Sequence, residues 1–136
     1  MIRRALDLRV PPERAFTAWT DAIHLWWPPS HTRHGGRVVL SRDRFVEVWD
    51  DGERQLGEVV TWEAPNRLVY DFFPGSSPDA PTRVTITFTA TAAGTRVNVH
   101  HERHRAPAPR FESSVRGFRR AWDHVLPSFL HHLELS

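Results

Sequence analysis

The sequence predicts an α+β fold in which a curved antiparallel sheet wraps a long C-terminal helix, with two short helices after the first strand. Two observations predict it. Between residues 37 and 103, apolar and polar residues alternate in short segments separated by turn signals, the pattern of an antiparallel meander with one dry face. Between residues 110 and 135, Phe111, Val115, Phe118, Trp122, Val125, Leu126, Phe129 and Leu133 recur every three or four positions and draw one apolar stripe along a helix. A helix of about 25 residues is roughly 37 Å long at 1.5 Å per residue, enough to cross a small domain. One dry sheet face needs one cover, and this helix supplies it. The 136 residues are expected to form one domain, 1–136, with no repeat, linker or internal boundary.

Residues 2–10 alternate Ile2, Arg4, Leu6, Leu8 and Val10 against Arg3, Ala5, Asp7 and Arg9, which reads as the first strand. Pro11-Pro12-Glu13 stops it and starts a helix, since proline is tolerated in the first turn and a carboxylate is favoured there by the helix dipole. Ala15, Phe16 and Trp19 are its inner face. Thr20-Asp21 offers a fresh cap for a second short helix over 22–27, ended by Pro28-Pro29. After a loop closing in Gly35-Gly36, strands are expected over 37–40, 44–49, 54–62, 67–73, 82–91 and 95–103. Asp50-Asp51-Gly52, Ala64-Pro65-Asn66, the 74–81 loop and Ala92-Ala93-Gly94 punctuate them. Within the last helix Pro127 cannot donate to the carbonyl of Asp123, so a kink is expected there, with the stripe resuming at Phe129, Leu130 and Leu133.

The chain has no cysteine, which excludes disulfides, thiolate nucleophiles and cysteine-held zinc. No run of eighteen apolar residues occurs, and the first residues lack the core of a signal peptide, so a soluble, cytoplasmic protein without membrane association is expected. All 18 basic residues are Arg, and the net charge is only +2. Little titrates between neutrality and the arginine range, so this small excess alone holds the isoelectric point near 10.3. Arg and acidic residues are interspersed, and Arg116, Arg119 and Arg120 read as a solvated helix face; no nucleic-acid partner is expected.

Four separated stretches carry a resemblance. They are Val10-Pro11-Pro12-Glu13-Arg14-Ala15-Phe16 with Trp19-Thr20-Asp21; Gly57-Glu58-Val59 through Trp62-Glu63-Ala64-Pro65-Asn66-Arg67-Leu68-Val69-Tyr70; Gly94-Thr95-Arg96-Val97-Asn98-Val99-His100-His101; and Gly117-Phe118-Arg119-Arg120-Ala121-Trp122. Together, over nearly the whole chain, they resemble the SRPBCC superfamily (START and birch-pollen-allergen-like), most closely its branch of activator of Hsp90 ATPase homologue-like proteins. The resemblance implies the helix-grip fold, with a cavity between sheet and helix in which many members bind an apolar small molecule. It also suggests a homodimer. Two departures stand out: Phe118 replaces a frequent Trp, and Trp26-Trp27-Pro28-Pro29-Ser30-His31 is a subgroup feature at the mouth of the cavity.

The residues supply candidates for such a site. Large rings are numerous, and each can bury about 150 to 250 Å²; either a packed core or a ring-walled cavity would use them. Phe118, Trp122 and Phe129 are expected as the helix wall, with Trp19, Trp26 and Trp27 at the entrance and His31 beside them. If Phe45, Glu47 and Trp49 share a face, Glu47 points inward, as do Tyr70 after Leu68 and His101 after Val97 and Val99. Glu47 and His101 could equally satisfy each other, or an Arg, as structural pairs. His100, Glu102 and His104 share a strand face of metal-ligand type, yet that face is the wet one, and no metal site is expected. Ser113, Ser114 and Ser128 lack a glycine-flanked elbow. No catalytic residue and no cofactor is therefore assigned. The reading is a binder of a small apolar ligand; the alternatives are a protein-interaction or chaperone-associated module, and a cyclase- or dehydratase-like enzyme using cavity acid-base residues.

Overall fold

A computed structural model describes residues 1–135. Among these residues seven strands, β1 (Ile2–Leu8), β2 (Arg37–Leu40), β3 (Arg44–Trp49), β4 (Gly52–Glu63), β5 (Arg67–Phe72), β6 (Thr82–Ala90) and β7 (Thr95–Glu102), form one antiparallel sheet. Their spatial order is β1-β7-β6-β5-β4-β3-β2. After the first strand the chain meanders, each strand pairing with the next, and β1 adds to the free side of β7. Register shifts opposite Phe45/Val46 and between Val59 and Thr61 leave Leu56 of β4 without a partner in β3 and Val60 of β4 without one in β5; such bulges bend a strand and sharpen its twist. The sheet therefore curls. Helices α1 (Pro12–Thr20) and α2 (Ala108–Leu135) complete the α+β helix-grip arrangement.

Alternation places the dry face as expected. Val84, Ile86 and Phe88 on β6 and Val97, Val99 and His101 on β7 are buried, and Ile86 lies opposite both Leu68 and Val99. Trp122, Val125, Leu126, Phe129 and Leu133 of α2 are buried against this core. Full burial of each such side chain contributes roughly 1.5 to 3 kcal/mol. The helix runs through Pro127, which is exposed, to Leu135. An Arg4–Asp123 ion pair (3.0 Å) joins β1 to α2.

The segment after α1 differs from expectation. The second helix is a 3₁₀ turn, Ile23–Leu25, and another 3₁₀ turn follows at Pro29–His31. Thr20 does not cap a new helix; its hydroxyl donates back to the Phe16 carbonyl (2.8 Å), and the Asp21 N–H donates to Thr17 (2.9 Å). Only a few residues then remain before Pro28-Pro29, too few to nucleate an α-helix. Among the described residues no helix is long and apolar enough to cross a membrane.

Candidate functional site

A pocket of about 600 Å³ opens between α2 and the 73–81 loop that joins β5 to β6. Its walls are Phe72, Phe73, Phe111, Phe118, Trp122 and Val125. Trp27 and His31 close the end beside residue 124 of α2, and Arg110 stands at the other end. Fourteen residues of helix separate 110 from 124, about 21 Å at 1.5 Å per residue. The space exists because the helix carries little there. Ser114, Gly117 and Ala121 follow at three- and four-residue spacing along the pocket, and a methyl group at Gly117 would meet no atom within 4 Å. The opposing loop is held by its own turns, with Ser76 donating to Phe73 (3.2 Å) and Ala80 to Ser77 (3.0 Å), and by the Arg54 guanidinium on the Pro74 carbonyl.

Behind one wall lies a closed polar chain. The Trp122 indole N–H can only donate, and it donates to Nδ1 of His101 (3.0 Å). The His101 proton must then sit on Nε2, which donates to Thr82 Oγ1 (2.8 Å), and the Thr82 hydroxyl donates to the Phe72 carbonyl (2.9 Å). Burial, reinforced by the N-terminal ammonium, lowers the His101 pKa to about 4, so the ring is neutral at pH 7. Both its nitrogens are occupied. Trp122 and Thr82 reach the pocket wall, whereas His101 stays behind them with its ring 4.4 Å from that of Phe118.

The entrance segment is pinned from several sides. Trp26 is buried, with its indole N–H on the Ala18 carbonyl (2.8 Å), and Ser128 of α2 donates to the Trp26 carbonyl. Trp27 donates to the His31 carbonyl (3.3 Å). His31 Nε2 meets His124 Nδ1 at 3.1 Å, a hydrogen bond that needs at least one neutral ring. Burial and the neighbouring His124 lower the His31 pKa.

Thus Trp27, His31, Phe118 and Trp122 line the pocket, and the remaining sequence candidates lie elsewhere. Trp19, Trp26 and Phe129 form a ring cluster, with centroids 4.8 to 5.0 Å apart. Trp49 stacks on His34 at 3.8 Å. Glu47 does point inward and is fully buried, but into a cage rather than the pocket. Its oxygens accept from the N–H groups of Arg33 (2.9 Å), His34 (2.8 Å) and Gly36 (3.1 Å) and from the Arg54 guanidinium (3.1 Å). Burial opposes its ionisation, yet these four donors outweigh it and hold the pKa at about 2. The cage requires glycine at position 36, where a side chain would strike the Val48 carbonyl. Tyr70 is fully buried, its hydroxyl has no partner among the described residues, and burial pushes its pKa up. No group of three or more His, Asp or Glu gathers as for a metal among the described residues.

Sequence reasoning missed Phe73, Arg110 and Gly117. The small residues Ser114, Gly117 and Ala121 beside the apolar stripe were the available signal for a groove along α2. No local pattern announces that the 73–81 loop would face them.

The family model described as activator of Hsp90 ATPase homolog 1-like protein matches residues 9–134. Among solved structures, protein MLL2253 from Mesorhizobium loti is similar with a TM-score of 0.75 and 19% identity, over 99% of this chain and 97% of its own. Protein NE0264 from Nitrosomonas europaea gives 0.71 and 17%, over 98% and 94%. DynU16, a putative protein in the dynemicin biosynthetic locus, gives 0.72 and 20%, over 98% of this chain and 46% of the longer DynU16 chain. At these identities the likeness shows the fold. No curated protein matches the sequence.

Proposed function

The chain belongs to the activator of Hsp90 ATPase homolog 1-like family, and from that premise we propose that it binds a small, largely apolar molecule in the pocket between α2 and the 73–81 loop. The observation that carries this reading is the ring-walled space itself, about 600 Å³, a size typical of small-molecule sites. Gly117 is in keeping with it, since the helix face there carries no side chain into the pocket it lines. Acid-base catalysis is disfavoured: His101 is neutral with both nitrogens bonded, and Glu47 is enclosed by donors away from the pocket. Native mass spectra of the protein purified from its own host, beside a denatured sample, test the reading. A stoichiometric adduct lost on denaturation is expected. A bare mass that persists after incubation with an apolar library would overturn it.

A further inference from the structure

The pocket has an electrostatic polarity that an apolar ligand alone would not use. Of the residues lining it, only Arg110 and His31 are ionisable, both are basic, and no carboxylate is present. His31 shares its ring nitrogen with His124, so the fixed charge is Arg110. Arg110 is exposed and its guanidinium has no ion-pair partner among the described residues, whereas Arg105 and Arg83 both reach Asp71. It also lies in the first turn of α2, where no acidic residue is present and the helix dipole disfavours a cation. An anion at that position would relieve both. Ser114 lines the pocket as a further polar contact, whereas the Ser113 hydroxyl already donates to the Arg110 carbonyl (2.9 Å).

We infer that the ligand is a planar aromatic or polycyclic carboxylate, its rings packed among Phe72, Phe111, Phe118 and Trp122 and its carboxylate held at the Arg110 end. The inference rests on the pocket being a small-molecule site. The rings favour a flat body, because aromatic faces and edges pack on one another with a gain beyond area alone. The guanidinium favours a carboxylate, with which it makes charge-assisted and bidentate hydrogen bonds.

Fluorescence titration with 1-pyrenebutyrate and its neutral counterpart 1-pyrenebutanol separates the two claims. The probes share the ring body and differ in the anion. The acid is expected to bind about three- to fivefold more tightly than the alcohol, the strength of a charge pair with an exposed guanidinium. Arg110→Gln should remove that advantage and leave the alcohol within about twofold, and added salt should shrink it. Gly117→Trp, or the smaller Gly117→Leu should the first variant not fold, is expected to block both probes. Equal affinities for acid and alcohol, or an advantage that survives in Arg110→Gln, would overturn the carboxylate inference while leaving the apolar site standing. Absence of binding by either probe, or binding that neither Gly117 variant disturbs, would overturn the site and the inference together.

Discussion

Gly117 shows how one residue ties the sequence to the pocket. It lies inside a 28-residue helix, where glycine is less favourable than alanine by about 0.5 to 1 kcal/mol because it loses more backbone freedom on folding. Nothing within 4 Å of a methyl group at that position requires the missing side chain. Gly117→Ala is therefore expected to raise stability by about 0.5 to 1 kcal/mol, read as a higher urea midpoint and a melting temperature up by about 2 to 4 °C. A lower midpoint would mean that the groove is not open above the helix. Glu47 is the opposite case, a charge enclosed by four donors. Glu47→Gln leaves the Arg54 guanidinium facing a neutral amide, and breaking a buried pair in this way costs about 3 to 5 kcal/mol. Arg54 is itself part-exposed, which places the expectation at the lower end. An unchanged urea midpoint would show that the cage does not support the fold. The inward direction of Glu47 was legible from the alternation of Phe45, Glu47 and Trp49. Its partners were not, since the N–H groups come from a loop whose path no periodicity records.

At the scale of elements, the meander and α2 were legible because both write their period into consecutive residues. The strand boundaries expected at 44–49 and 37–40 coincide with those observed, and α2 begins two residues before the expected start. The stretch from 21 to 32 was read less well. Contacts from far along the chain, Ser128 on the Trp26 carbonyl and His124 on His31, hold it as two 3₁₀ turns, where local pattern suggested a helix over 22–27 and a loop from 30. Those contacts make the segment pH-sensitive. Because burial and His124 lower the His31 pKa from 6.5, an open form with His31 in water takes up a proton more readily than the closed one. The clasp is therefore complete at neutral pH and is lost as pH falls below 6.5. Hydrogen-exchange protection of residues 26–32, corrected for intrinsic rates, is expected to fall between pH 7 and pH 5, and His124→Ala, which removes the smaller of the two causes, should weaken that dependence. Equal protection of the native chain at both pH values would exclude the clasp.

For the whole molecule, two buried groups set how stability responds to acid. At pH 7 the His101 ring is neutral in the folded chain while about a quarter of unfolded chains carry its proton, so its slope is present there but shallow. Below 6.5 the unfolded chain binds a proton that the folded one refuses until about pH 4, so stability falls by up to about 1.4 kcal/mol per pH unit, about 3 kcal/mol across the window. Glu47 acts next. Its folded pKa is depressed from 4.5 to about 2, so it stabilises the fold above pH 4.5 and that contribution is lost as pH falls through 2. The windows adjoin, and the chain should begin to lose stability near pH 6.5, well before carboxylates titrate. Against a typical total of about 5 to 15 kcal/mol, the His101 step alone is large. Urea midpoints at pH 7, 5.5 and 4.5 are expected to fall steadily for the native chain. The slope should flatten in His101→Phe, which removes the ionisable ring at the cost of the Thr82 and Trp122 contacts. A native midpoint that is level from pH 7 to 4.5 would mean that His101 accepts a proton in the folded state. The chain from Trp122 to the Phe72 carbonyl could not then be closed, and His101 would return as a candidate acid or base at the pocket wall.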